Sequence, residues 1–167
     1  MLVATAIERM IAFYKGDLHD VSHFLKVWAL AKTIGEQERL EEPVQLTLEL
    51  AAVVHDIACP LCREKYGDVH GHHQELESPP LVQAFLTELP VSAPMAERIT
   101  WLVAHHHTYA PVDGLDHRIL LEADFLVNAG ESGYSPTAID NARQRVFRTA
   151  AGLRLLDTLY RGGAAGT

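Results

Sequence analysis

Apolar residues recur at helical spacing through most of the chain. Val3, Ile7, Met10, Ile11 and Tyr14 fall three and four residues apart and predict an amphipathic helix over 3–14. Gly16 and Asp17 interrupt that pattern. Val21, Leu25, Trp28 and Ala31 predict a second helix over 20–34, with Gly35 closing it. Pro43 suits the first turn of a third helix, rich in Leu, Ala and Val, that runs to about Asp56. Residues 57–73 carry Pro60, Gly67 and Gly71 among many polar side chains and read as a long, partly irregular loop.

Pro79 and Pro80 then open a helix to about Leu89, and Met95, Ile99, Leu102 and Val103 line one side of another over 94–106. After a turn at Asp113-Gly114 come helices over 116–128, from the Ser135-Pro136 cap to about Arg148, and over 152–160. There is no strand-like alternation of useful length, no internal repeat and no composition break that marks a second domain. The pattern predicts an all-α, single-domain helical bundle over residues 1–161. Residues 162–167, Gly-Gly-Ala-Ala-Gly-Thr, have nothing to bury and read as a flexible tail.

The 167 residues, 48% of them apolar, are enough for one domain with a real core. The longest apolar run, Leu46 to Val54, is too short to cross a membrane and is interrupted by Glu49. The N-terminus lacks a basic region followed by a cleavage site, so a cytoplasmic protein without a membrane partner is expected. A net charge of -8 argues against duplex nucleic acid as a partner. It leaves room for a small phosphorylated substrate, because a bound divalent metal dominates the field its ligand meets. Oligomeric state stays open. Cys59 and Cys62, spaced C-x-x-C, suggest a reducing compartment. A lone C-x-x-C is a poor signal for structural zinc, and no βαβ pattern surrounds it to suggest a thioredoxin-like site.

The unusual feature is ten histidines, at 19, 23, 55, 70, 72, 73, 105, 106, 107 and 117. His55-Asp56 ends the apolar run Ala51-Ala52-Val53-Val54. Burying such an ionisable pair costs free energy unless something compensates, and a divalent cation, for which imidazole and carboxylate are both good ligands, compensates both at once. His23 stands one helical turn before Val27 and shares its face. Asp124 lies in the apolar stretch Leu120-Leu121-Glu122-Ala123-Asp124-Phe125-Leu126-Val127, where an acid needs a partner. Taken singly, His23 reads as an ordinary satisfied histidine and Asp124 as a cap or a partner of Arg118. Taken with His55-Asp56, both read as metal ligands. Trp28 and Trp101 read as core. Asp113, Asp116 and His117 read as a turn and a cap, Glu36, Glu38, Glu41 and Glu42 as a solvated face, and Arg143, Arg145 and Arg148 as surface.

The order His23…His55-Asp56…Asp124 resembles the H…HD…D signature of the HD phosphohydrolase superfamily. His23 with Lys26-Val27 is similar to the family's H-x-x-R-V, with Lys for Arg, and Glu122-Ala123-Asp124-Phe125-Leu126 is similar to its D-A-D-x-L, with Glu at the first position. The likeness covers roughly residues 18–128. It implies an HD-type bundle around a central metal site and hydrolysis of a phosphoester or phosphoanhydride bond in a small phosphorylated molecule, including nucleotides. His23, His55, Asp56 and Asp124 would hold one divalent ion, among Mn, Fe, Co, Ni, Zn or Mg. Where members carry a second ion, His73, His105 and His106 would supply it here, with Asp56 bridging. Many members follow the dipeptide with an apolar residue, Gly and Lys. This chain has Ile57-Ala58-Cys59-Pro60 instead, so Arg63, Lys65 or Lys26 would meet the phosphate, with His72 nearby. Asp56 and Lys26 would act in catalysis, and Glu122 would carry protons. Two rivals are an HD-fold di-iron oxygenase and a non-catalytic nucleotide or metal sensor.

Overall fold

The computed structural model describes residues 1–162. The segment 163–167, most of the expected tail, lies outside the described residues. Among those described there are nine helices and no strand: α1 (Leu2–Phe13), α2 (Leu18–Gln37), α3 (Glu42–Val54), α4 (Cys59–Tyr66), α5 (Gly71–Thr87), α6 (Ala93–Val103), α7 (Gly114–Glu131), α8 (Pro136–Arg145) and α9 (Ala150–Tyr160).

Helix α3 is the axis. Every residue from Thr47 to Val54 is buried, which is why its sequence is apolar nearly all round, the buried Glu49 being met by Trp28, Lys32 and Gln45. It packs against α1, α2, α6 and α7. Helix α1 meets it along Ala6, Met10 and Tyr14, while Ile11 of the expected stripe is 43% exposed. Helix α2 is started by Asp17, whose carboxylate accepts from the amides of His19 and Asp20. It buries Asp20, His23, Phe24, Val27, Ala31, Ile34 and Gly35, a spacing of three and four that places two polar residues on the core stripe.

Three local expectations are corrected. Gly35 does not close α2, which continues to Gln37. Gly35 is instead the place where α2 lies close to α3, since a Cβ there would stand 2.2 Å from Gln45 Oε1. The stretch 57–73 is not irregular: Pro60 occupies the first turn of α4, and Gly67, at φ 75°, ends it in the left-handed conformation. Pro79 and Pro80 do not open α5 but lie inside it. Pro79 frees the carbonyl of Glu75, toward which the Ser78 hydroxyl is turned at 3.5 Å.

Within Glu42–Tyr66 an 18-residue window is apolar and long enough to cross a membrane by composition, with mean hydropathy 1.3, but 67% of that window is buried in the fold. A turn at 55–58 divides it into α3 and α4. Its apolar character is the requirement of a core axis.

Helix α9 is docked by a buried acid. Glu122 of α7 accepts from the amides of Arg148 (2.7 Å) and Thr149 (3.1 Å) and from the Thr149 hydroxyl. That hydroxyl in turn accepts from the Gly152 amide at 2.9 Å. The helix expected to reach Arg148 therefore ends at Arg145, and Thr149 begins a new one. Gly152 is required there, since a Cβ would stand 2.1 Å from Glu122 Oε2. Replacing Glu122 by Ala leaves two amides and a hydroxyl without their partner. We expect Glu122→Ala to lose about 2–4 kcal/mol and about 5–15 °C in Tm. Urea and thermal denaturation followed by circular dichroism measure this, and an unchanged midpoint refutes the docking role.

Candidate metal centre

Four segments converge beside α3. Helix α2 brings His23, the turn after α3 brings His55 and Asp56, the turn after α6 brings His106, and α7 brings Asp124. His23 Nε2 lies 3.3 Å from His55 Nε2, 3.2 Å from Asp124 Oδ1 and 3.4 Å from Asp56 Oδ2. His55 Nε2 lies 3.5 Å from both carboxylates, and His106 Nε2 lies 3.4 Å from Asp56 Oδ1. His55 and His106 are fully buried, His23 and Asp124 nearly so, while the Asp56 side chain is 19% exposed.

The far side of each ring fixes its chemistry. His55 Nδ1 donates to the carbonyl of Ala52 at 2.8 Å and His106 Nδ1 to that of Val103 at 2.6 Å. His23 Nδ1 donates to Glu131 Oε2 at 2.8 Å. With Nδ1 as the donor, Nε2 of His55 and His106 is the atom turned to the carboxylate oxygens, bearing a lone pair in the neutral ring and a proton in the charged one. His106 Nε2 is buried without a hydrogen-bond partner. Carboxylates and imidazole nitrogens 3.2–3.5 Å apart need a proton or a cation among them. These separations suit ligands that each lie about 2.1 Å from one ion. His23, His55 and Asp56 form one potential metal-binding group, and Asp56, His106 and His107 a second that shares Asp56.

The electrostatics agree. Burial acts to raise the Asp56 carboxyl, but His55, His106 and His23 outweigh it and hold the group far below the usual carboxylate range. Asp124 behaves alike: burial is opposed by His23 and His55, and its carboxyl is held low. Burial lowers His23, yet its bond to Asp124 and the charges of Asp56 and Asp124 overcome this and raise it to about 9. Without a metal, a proton on His23 supplies the missing positive charge. His107 goes the other way, lowered to about 3 by burial and by His106. Its Nε2 is also buried and unpartnered.

The other candidates fall elsewhere. His105 stacks on Trp101, centroids 4.1 Å apart, and its Nδ1 donates to the Trp101 carbonyl, so it turns away from Asp56. His107 takes the place expected for it, because α6 ends at Val103 and the turn re-aims the next residues. His73 stacks on Tyr66 at 3.9 Å and meets Asp68, and His72 is exposed beside it. Neither belongs to a described metal-binding group. Lys65 pairs with Glu77 and Lys26 with Glu131. Glu122 is committed to α9 and is not a proton carrier at the metal. Arg118 donates to the Val146 carbonyl, not to Asp124. Cys59 and Cys62 are free, buried thiols and join no such group among the described residues.

A cleft of about 350 Å3 opens onto His23, Asp56 and Asp124. Arg63 lies on its wall but is already forked onto Asp20, with both nitrogens at 2.7 Å. Tyr109 and Tyr134 also line it, about 40% exposed each. Sequence reasoning missed both tyrosines, His107 and Glu131. The one signal for His105 is its place four residues after Trp101, the spacing of a stacked pair on a helix.

No curated protein matches this sequence. A crystal structure of a predicted HD superfamily hydrolase from an uncultured Thermotogales bacterium is similar in fold, with TM-score 0.66 at 20% identity, over 96% of this chain and 84% of that one. The family model of the HD domain matches residues 20–135, a span that holds His23, His55, Asp56, His106 and Asp124, and the chain belongs to that family.

Proposed function

We infer that the protein is a metal-dependent hydrolase that cleaves a phosphoester or phosphoanhydride bond in a small phosphorylated molecule. The observation that carries this reading is the convergence of three imidazole Nε2 atoms and two carboxylates at one buried point on a cleft wall. His23, His55, Asp56 and Asp124 would hold one divalent ion. Asp56, His106 and His107 would hold a second, in place of the set with His73 and His105. When bound, a divalent ion supplies Lewis acidity, lowering the pKa of a water and drawing charge from a phosphoryl oxygen.

The chain's own groups do the rest. The carbonyls of Ala52 and Val103 and the carboxylate of Glu131 orient the rings. Asn128 Nδ2 donates to Asp124 Oδ1 at 2.9 Å and fixes that carboxylate. Asp56 is the one metal-facing acid with appreciable exposure to the cleft, which supports a role for it beside the reacting group. Arg63 has both terminal nitrogens on Asp20, which would leave its Nε edge to meet a phosphate. The cleft has the volume of a small-ligand site.

Elemental analysis of the purified protein and a screen of phosphoesters and nucleotides test the reading. We expect Asp56→Ala to lose bound metal and to reduce turnover at least about 1000-fold, with its helical signal intact. An active Asp56→Ala protein ends the proposal. Iron with oxygen uptake and no phosphate release would point to oxygenase chemistry, and tight binding without turnover to a sensor.

The raised His23 sets a pH dependence. Below pH 9 its proton must leave before a cation can take Nε2. Metal affinity should therefore rise about tenfold per pH unit from about pH 6 to about pH 9 and level off above. Isothermal titration with Mn2+ across this range measures it, and a pH-independent affinity contradicts the assignment of His23.

A further inference from the structure

The three rings are held from behind in two different ways, and the difference has a structural cause. His55 immediately follows the last residue of α3, and His106 lies in the turn after α6. Each donates to a carbonyl three residues back, Ala52 or Val103. Carbonyls in a last helical turn lack the amide four residues on and keep capacity to accept; that of Val103 is otherwise met by the His106 amide at 3.5 Å. His23 lies six residues into α2, which runs Leu18–Gln37, where the nearby carbonyls are engaged in the helix's own hydrogen bonds. Its acceptor must come from another element.

That element is the end of α7. Glu131 is its last residue, seven beyond Asp124, and two turns of helix put the two acids on one face. Asp124 Oδ1 lies 3.2 Å from Nε2 of His23 and Glu131 Oε2 lies 2.8 Å from Nδ1, so α7 grips the ring from both sides. The other oxygen of Glu131 accepts from Lys26 Nζ at 3.0 Å. Lys26 stands one turn after His23 on α2, and its side chain is 55% exposed. An ion pair that open contributes little to stability. Its effect here is directional: with Oε1 occupied, Oε2 is the oxygen offered to the imidazole.

We propose that Glu131 is the positioning residue of His23 in the metal centre, and that Lys26 serves by holding Glu131 rather than by meeting substrate. The inference rests on the metal-centre reading above. It also gives the lysine of the His23-x-x-Lys26 pair a role that does not require contact with phosphate.

The test is Mn2+ binding to the full chain by equilibrium titration, with wild type, Glu131→Ala, Glu131→Gln and Lys26→Met compared at one pH. Glu131→Ala should weaken Mn2+ about 10–100-fold with unchanged helical circular dichroism. Glu131→Gln keeps a carbonyl acceptor and should recover part of the loss. Lys26→Met should weaken binding several-fold. Wild-type affinity in Glu131→Ala overturns the proposal, and wild-type affinity in Lys26→Met overturns the part concerning the lysine. If Glu131→Ala does not fold, Glu131→Gln decides, since affinity equal to wild type then overturns it. A wild-type chain that takes up no Mn2+ removes the metal-centre reading itself, a result distinct from equal affinities among variants that bind.

Discussion

Acceptor atoms brought together in a protein interior require a positive charge, and this requirement organises the centre of the molecule. Nε2 of His55 and His106 and the oxygens of Asp56 and Asp124 approach within 3.4–3.5 Å of one another, with the rings committed at Nδ1 to backbone carbonyls. Bringing carboxylates out of water costs several kcal/mol each unless they are neutralised. In the metal-free chain the proton on His23 does part of this work.

The scaffold can bear that cost because the site is anchored where packing is densest. Ala51, Ala52, Val53 and Val54, immediately before His55, are all fully buried, as are Leu120, Leu121 and Ala123 beside Asp124. Phe24 and Val27, on the same stripe of α2 as His23, are likewise fully buried. Ligands set among such residues have few alternative rotamers, so ring and carboxylate directions follow from helix placement. The cleft side is looser, with Tyr109, Tyr134 and Arg63 partly in solvent. The described residues thus divide into a buried cluster of imidazoles and carboxylates and a more open cleft wall.

How much of this was legible in the sequence follows from which interactions are periodic. The helices were, because burial on one face imposes spacings of three and four. His23 and Asp124 stood out for the same reason, as polar residues at positions where periodicity demands apolar ones, and the resemblance of their order with His55-Asp56 to the H…HD…D signature joined the four into one site. Helix ends were less so. Gly35 marks a close helix approach rather than a stop, and Pro79-Pro80 sit within α5, because tertiary contact overrides local preference. The histidines at 105–107 turned on where α6 ends, which periodicity does not fix. Glu131 and Glu122 were illegible as to role. Each acts on a residue over a hundred or about twenty-five positions away, His23 or Thr149, and no local pattern encodes that distance.

Charge then constrains what the cleft accepts. Asp20, Asp56, Asp124 and Glu131 line it, against Arg63, which Asp20 already neutralises. Glu131 is balanced by Lys26 from outside. One divalent ion on Asp56 and Asp124 brings that pair to neutrality and leaves little attraction for a phosphate. A second ion, on Asp56, His106 and His107, adds positive charge with no further carboxylate, since both histidines are neutral ligands. The absence of lysine after His55-Asp56 fits such a site, because the attraction for phosphate would come from metal charge rather than from a side chain. On the proposed reading, the number of ions bound, more than any surface feature, would set how anionic a substrate this chain with net charge -8 holds.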